Sequence, residues 1–433
     1  MIAARTLFKG LRSHWLVRNT SWIILGQGAN FLLQVGYFTL LARLLGVKEY
    51  GLFAGAFALV NIIAPYSALG ANMLYMRYVS ASRESANVYW GNALLTTAGM
   101  SALIAAGIWF LGPLITRIHD ELLFLSLVVS NCLLLQITSL AGVVFITLEK
   151  MRLTAISGFI TNLARFLMLL VLLLLYHHAT AAQWSLGAML ASAFAAVFVL
   201  FVVRAEIGKP KYDHRLIFKR VPEGIGFSFA GTTQTVYNDV DKTMLSHFGL
   251  NRENGFYSLA YKIIDFATTP IVSIGAVVLP KTFGMSVHDM RGVMRLTVKS
   301  AWVCVLIGAV MGACTLLVAP FLPLIVGKDF SGVLAALRWL CWIPMLRAIH
   351  QTTGGALTGT GNQSIRTIAQ TAVAIANFAL NLWWIPAFGW VGAAWSSVVS
   401  DGLLAVLNTL TLYIIWRKIR RKQDAQSMVR VGE

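Results

Sequence analysis

Charge is what this sequence is shortest of. Of its 433 residues only 12% are Asp, Glu, Lys or Arg, where a soluble domain carries about 25%. Acids are the scarcer sign: 17 Asp and Glu stand against 35 Lys and Arg. Hydrophobic residues make up 58% of the chain, and mean hydropathy is +0.72. No stretch has the composition of a soluble domain, so the chain is read as a polytopic membrane protein. Cysteine is scarce as well. Cys132, Cys304, Cys314 and Cys341 all lie inside apolar runs, without C-x-x-C or ligand spacing, which argues against a zinc site and against a disulfide framework. The pair His177-His178 has no carboxylate or Cys beside it, so no metal site is expected there. Loops are short throughout, with no room for an independent catalytic domain, and no enzyme activity is expected. The formal charge of +18 invites a nucleic-acid partner. The placement of the charge argues against one, because Lys and Arg fall mostly in short loops beside apolar runs, where they set topology.

What is present is a succession of apolar runs. A span needs about 20 apolar residues, and twelve runs satisfy this: 20–43, 51–73, 90–112, 122–147, 153–176, 183–204, 223–248, 256–280, 299–327, 331–357, 365–387 and 391–416. The fold class expected is all-α, twelve transmembrane helices in two six-helix lobes around a central cavity. The first run follows a basic N-terminus but is too long and too polar for a cleaved signal, being interrupted by Gln27, Asn30 and Gln34. The expected organisation is a lobe over 1–204, a basic linker over 205–222, a second lobe over 223–416 and a basic tail over 417–433. The N-terminus, the even-numbered loops and the tail hold about 25 Lys and Arg, and the odd-numbered loops about five. Both termini are therefore expected on the cytoplasmic side. The linker and tail have the composition to touch anionic membrane lipid, or to act as topology determinants alone.

The two halves repeat. Leu45-Gly46-Val-Lys-Glu-Tyr-Gly51 finds a counterpart in Phe248-Gly249-Leu-Asn-Arg-Glu-Asn-Gly255, each predicting a short polar turn between two spans. Gly187-Ala188 with Ser192 recurs as Gly392-Ala393 with Ser397, and Asn162-Leu-Ala as Asn377-Phe-Ala. Two six-span halves in the same order predict a repeat related by an axis along the membrane normal.

The ionisable groups inside the spans are the candidate functional residues. Charge at membrane depth costs about 2.5–3.5 kcal/mol per group by the lower scales. Five such groups gather between Tyr237 and Asp265. Asp239 and Lys242, three apart, share a helix face and can pair, as can Lys262 and Asp265. Asp241 points away from Asp239 and has no partner in its own helix, so it needs a cation from another helix or a proton. Two readings stand for this cluster: a clamp of ion pairs between spans seven and eight, or a part of a working cycle. Elsewhere the deep charge is mainly positive. Arg165 lies mid-span in span five with Asn162 on its face. Arg338 and Arg347 lie in span ten, nine apart and so on nearly opposite faces, with Arg347 sharing a face with His350 and Gln351. Asp401 is mid-span in span twelve. Gln27, Asn30 and Gln34 form a polar stripe on span one, and Asn377 and Asn381 a shorter one on span eleven; polar stripes serve either as glue between helices or as a cavity lining. Two motif-like stretches carry no chemistry. Gly354-Gly-Ala-Leu-Thr-Gly359 lacks the Lys of a phosphate-binding loop, and Asp239-Val-Asp241 lies in a span rather than in a sugar-nucleotide domain. No cofactor is expected.

Several of these residues carry a resemblance. Ala42-Arg43-Leu-Leu-Gly46-x-x-x-Tyr50-Gly51, then Asp241-Lys242-x-Met-Leu with Gly249 and Gly255-Phe-Tyr257-Ser-Leu-Ala260, and Gly359-Thr-Gly361-Asn-Gln363, resemble bacterial polysaccharide-export proteins. The family is the O-antigen (Wzx-type) flippase branch of the multidrug/oligosaccharidyl-lipid/polysaccharide exporter superfamily. The likeness covers most of the chain in span count and order, with short motifs. It implies two six-helix lobes in a V around a cationic cavity. The substrate implied is a lipid-linked oligosaccharide on undecaprenyl pyrophosphate, moved between leaflets of the bacterial inner membrane, with a polysaccharide polymerase and chain-length machinery as partners. On this reading Arg165, Arg347, Arg338 and Lys262 would meet the anionic substrate. Asp241, with Asp401 second, would be the ion-responsive acid. The pairs among Asp239, Lys242, Lys262 and Asp265 would form or break as the outer mouth opens. A drug or metabolite antiporter and a membrane-embedded polymerase are the rival readings. Export of organic cations would favour the first; the second wants a large outer loop, which is absent from the sequence.

Overall fold

The computed structural model describes residues 14–286 and 290–431, with side chains over 33–285 and 290–419. Its described residues form helices joined by short turns, with no strand among them. Helices are the economical answer to a lipid environment, because each satisfies its own backbone polar groups. Nine described helices are long and apolar enough to cross a membrane, and the bent pair Lys328–Leu340 with Ile343–Gly359 makes a tenth. The first of them bends at Gly46 into two passes, and His214–His247 has the length of a span but is too polar to be counted by apolarity. The chain divides into two compact units, Met1–Thr232 and Thr233–Glu433. The division falls inside His214–His247, further along the chain than the basic linker.

Unit one opens with α1 (His14–Ser67), 54 residues long. Straight, it would run about 80 Å, against a hydrocarbon core of about 30 Å. The break is one residue, Gly46, at φ 68° and ψ 172°. The polar turn expected over Leu45–Gly51 is thus a single-residue kink with helix on both sides, a conformation open to a residue without Cβ. A second break at Leu69 and Gly70, both at positive φ, leads to α2 (Ala71–Ala81) and α3 (Ala86–Thr116). Asp120 then caps α4 (Glu121–Val128) by accepting from the Leu123 N–H at 2.9 Å. A π-helical turn, Val129–Leu134, joins α4 to α5 (Leu135–Thr147). α6 (Met151–Leu175) follows, and α7 (Ala181–Ile207) starts on a capping box made by Thr180 and Gln183. One core cluster packs Leu59, Val60, Phe124 and Leu127; another packs Tyr75, Trp90, Val144, Phe145 and Val199. Large apolar side chains such as Phe110, Leu114, Leu174 and Phe201 point outward instead, as lipid-facing positions require.

The linker lies against its own unit. The Lys211 N–H donates to Asn87 O at 3.0 Å, and the Asp213 N–H to Asn92 Oδ1 at 2.8 Å. Gly91 makes this possible: a Cβ there would stand 2.1 Å from Lys211 O. The start of α8 (His214–His247) is pinned in the same way, with Gly224 against Leu69 O and Ser228 Oγ donating to Pro65 O at 2.9 Å.

Unit two holds the rest of α8, then α9 (Asn251–Ser286), α10 (Met290–Val318), the short α11 (Leu322–Val326), α12 (Gly332–Leu340), α13 (Ile343–Gly359), α14 (Gln363–Phe388) and α15 (Trp390–Val431). Gly249 makes the α8–α9 turn at φ 76°. Span ten is two helices. α12 and α13 meet at Cys341 and Trp342 with a 47° bend between the flanking segments, and Pro344 sits in the first turn of α13. Gly308 and Gly312 on α10 let this broken segment approach: a Cβ on either would lie 2.8 Å from Pro344 O or 2.5 Å from Cys341 O. Small residues four apart are the membrane's usual device for close helix contact.

Candidate functional site

The charges of unit two converge. Asp401, on α15, is fully buried at 0% exposure. Its Oδ1 accepts from the Tyr237 hydroxyl and lies 2.9 Å from His350 Nε2, while its Oδ2 is 3.8 Å from Arg347 Nε. Arg347, buried on α13, reaches further. It donates to Asp265 Oδ1 at 2.8 Å, to Tyr261 Oη at 2.9 Å and to Asn238 Oδ1 at 3.5 Å. Lys242 Nζ donates to Asp239 Oδ1 at 2.5 Å and to Asn238 O at 2.8 Å, and stands 4.4 Å from the centroid of the Tyr261 ring. The Arg347 guanidinium lies 5.3 Å from the same centroid, so the Tyr261 ring has both cations in reach, which suits cation–π attraction in a desolvated place. α8, α9, α13 and α15 each supply part of one polar network inside an apolar unit.

Local spacing explains the convergence. Tyr257, Tyr261 and Asp265 recur every fourth residue and so line one face of α9. Tyr237 with Asp241, and Asn238 with Lys242, do the same on α8. Arg347 and His350 are three apart on α13.

The sequence-based expectations divide here. Asp239 pairs with Lys242 as the face arithmetic predicted. Asp265 takes Arg347 from another helix, a contact that same-helix spacing does not reveal. Asp241 was expected to need a cation from another helix or a proton. It is buried at 1% exposure, and its acceptors are met by neutral donors: the Lys242 N–H at 2.8 Å, the Tyr257 hydroxyl at 2.5 Å and the Ser397 hydroxyl at 3.2 Å. Lys262 is half-buried on α9, one turn before Asp265. Arg347, expected as a cavity cation, has two carboxylates beside it, so its charge is largely offset. Arg338 is exposed on α12 and stands apart from Arg347 because the span breaks between them, in addition to the helical phase difference. His350, Tyr237, Tyr257, Tyr261 and Asn238 were not singled out as site residues. The signal that could have found them was the four-residue recurrence of Tyr, Asn and Asp on α8 and α9.

Unit one holds a different arrangement. Arg165, on α6, is held by hydroxyls. Its Nε donates to Ser192 Oγ at 3.1 Å, and its Nη2 to Ser130 Oγ and Ser192 Oγ, both at 3.0 Å. Ser130 sits in the π-helical turn, and Ser101 Oγ donates to the Cys132 carbonyl of that turn at 2.8 Å. Such turns widen a helix locally and are frequent at functional sites. Tyr37 and Trp184 lie nearby, their ring centroids 5.5 Å apart. Among the described residues no carboxylate pairs with Arg165, so its charge is not offset by one. Gln34 is half-buried on α1, and the side chains of Gln27 and Asn30 lie outside the described residues. No group of three or more His, Cys, Asp or Glu among the described residues has a metal-holding arrangement.

Residues 16–286 match the family model described as polysaccharide biosynthesis protein, which is more than half of the chain. The chain belongs to that family. No curated protein matches the sequence of this polysaccharide biosynthesis family member. Solved structures do match its fold. A multidrug resistance MATE family transporter of the MOP superfamily, inward-facing, is 13% identical with a TM-score of 0.74, over 90% of this chain and 96% of that one. The lipid II flippase MurJ in its inward closed conformation is 15% identical with a TM-score of 0.72, over 90% and 87%. A MOP superfamily transporter from Pyrococcus furiosus, described as having a binding pocket of reverse polarity, is 12% identical with a TM-score of 0.57, over 93% and 94%. At these identities the likeness is one of fold. That fold is the multi-pass, all-helical one of the exporter superfamily, whose matched members are transporters and flippases rather than enzymes.

Proposed function

We propose that this chain is a flippase for an undecaprenyl-pyrophosphate-linked oligosaccharide, such as an O-antigen or similar surface polysaccharide repeat unit. It works by alternating access in the bacterial inner membrane, with both termini cytoplasmic, coupled to an ion gradient. The single observation that carries the reading is Arg165: a guanidinium inside a span, with two serine hydroxyls for partners and, among the described residues, no carboxylate to offset it. A bidentate fork of this kind suits phosphate oxygens. The pyrophosphate is the polyanion, the sugars follow it, and the polyprenyl tail stays in lipid. The bias of Lys and Arg toward one set of loops supports the orientation. In unit two, Asp401 with His350, Tyr237 and Arg347 forms the network that answers the coupling ion. The pair Asp239–Lys242 and the neutral setting of Asp241 are its scaffold. Lys262, one turn before Asp265, and the exposed Arg338 make weaker contacts with acidic sugars, and the lobes are taken as 1–204 and 223–416 with the basic linker between them. A polysaccharide polymerase and chain-length machinery would consume the flipped product.

The test is reconstitution in liposomes with a fluorescent lipid-linked oligosaccharide. The wild-type protein should expose the label to the opposite face, and Arg165→Ala should abolish exposure while keeping the wild-type melting profile. Equal flipping by Arg165→Ala would remove the basis for the reading. Export of a cationic dye in place of the lipid would put the chain among the drug exporters instead.

A further inference from the structure

A small cleft of about 40 Å3 opens in unit one between the break after α1, α3 and the start of α8. Its walls are mainly apolar, with Ala68, Leu74, Ile217 and Val221 among them. Two of its lining residues are polar and carry buried donors that lack an acceptor: Asn92 Nδ2 and Arg220 Nε. The other ends of both side chains are committed. Asn92 Oδ1 accepts from the Asp213 N–H at 2.8 Å. The Arg220 guanidinium lies 3.9 Å from the centroid of the Tyr78 ring, with Nη1 3.7 Å from Glu223 Oε2. Glu223 also pairs with Arg77 at 2.5 Å, so two guanidinium groups share one carboxylate and the corner stays net positive. Buried N–H groups without partners are rare in folded proteins, and here two belong to side chains that line one cleft.

We propose that this cleft binds phosphate oxygens, and that their source is the headgroup of an anionic phospholipid. The donors Asn92 Nδ2 and Arg220 Nε turn to the oxyanion, which fills the cleft, and the glycerol and acyl chains lie outside it. The setting matches such a ligand. Arg215 and Lys219 are exposed on the same stretch of α8, and between them Phe218 stands 78% exposed, an apolar side chain suited to a bilayer interface. Basic pockets at span ends, flanked by Lys and Arg, are where anionic headgroups bind membrane proteins. The cleft has room for about three water-sized groups, so the acyl chains must lie outside it, along the lipid-facing surface.

The test uses the full chain purified in detergent, with melting curves and native mass spectrometry. Phosphatidylglycerol, phosphatidylcholine and inorganic phosphate are titrated separately. Phosphatidylglycerol should raise the melting temperature and survive as a one-to-one adduct, with phosphatidylcholine much weaker. The decisive variant is Asn92→Asp. It keeps an oxygen for the Asp213 N–H but turns the free donor into an acceptor, so the linker contact survives and oxyanion binding does not. Loss of a charge-assisted contact predicts a fall in affinity of about tenfold or more, whereas Arg215→Gln, on the exposed face, should change it by less than about threefold. Ala93→Leu, which fills the cleft without altering charge, is the second variant and should also abolish the adduct. An equal shift with inorganic phosphate alone would keep the oxyanion site and assign it to free phosphate. Unchanged phosphatidylglycerol binding in both Asn92→Asp and Ala93→Leu, or a loss no larger than that of Arg215→Gln, would overturn the proposal.

Discussion

Asp401→Asn is the sharpest probe of the network in unit two. The side chain keeps its size and one carbonyl oxygen, so the Tyr237 hydroxyl still has an acceptor. What disappears is a negative charge 3.8 Å from Arg347 Nε. At an effective dielectric of about 20 the Coulomb attraction of such a pair is about 4 kcal/mol. Breaking a buried pair by removing one partner costs about 3–5 kcal/mol, because the other charge is left behind. Arg347 retains Asp265 at 2.8 Å, and the Asp265 side chain is 41% exposed and partly hydrated. The loss should therefore fall at the low end, about 3 kcal/mol. Arg347→Met removes the stranded cation, so the double variant should be more stable than the sum of the two single losses by about 1–3 kcal/mol. Denaturant unfolding of all four proteins in one detergent measures the cycle. Additivity within about 0.5 kcal/mol would refute the idea that Asp401 and Arg347 act as a pair. The proposed ion coupling predicts that the same Asp401→Asn protein in liposomes loses the response of flipping to an imposed proton or sodium gradient.

Three further outcomes are expected. Gly46→Ala forces a Cβ into φ 68° and ψ 172° and should cost about 1–3 kcal/mol in unfolding experiments, whereas Gly99→Ala, with open space around it, should be neutral or stabilising. Gly91→Ala places a methyl group 2.1 Å from Lys211 O; it should push the linker off α3 and raise the rate of trypsin cleavage after Lys211. Arg165→Lys keeps the charge but not the fork that spans Ser130 and Ser192, so flipping should fall by about tenfold or more, with a small change in melting temperature.

The architecture was readable because lipid imposes it: the apolar runs of span length fall mostly in helix, with breaks at Leu69–Gly70 and at Cys341–Trp342, and the Lys and Arg bias proposes an orientation from the sequence alone. Where the sequence misled, the cause was local geometry that composition does not encode. A polar turn and a one-residue kink at Gly46 have the same sequence, since Gly permits both. The break in span ten was foreshadowed by Pro344 but hidden by unbroken hydrophobicity. Within the site, contacts along one helix were legible, as with Asp239 and Lys242. Contacts between helices were not: nothing near Asp265 in the chain announces Arg347, and nothing near Asp241 announces Ser397. The tyrosines were overlooked because an aromatic residue in a span is most often packing, and only its recurrence with Asp and Asn on one face separates the two uses.

Ser192 and Ser397 occupy corresponding places in the sequence repeat, and each touches an ionisable group, Arg165 in one unit and Asp241 in the other. A hydroxyl can meet either, since it accepts from a guanidinium and donates to a carboxylate. Polarity in each half is thus decoupled from its framework. The ionisable residue that meets each serine sits on a different helix of its unit, Arg165 on α6 and Asp241 on α8. The same small hydroxyl therefore lets one helical framework hold a cation in one unit and an acid in the other.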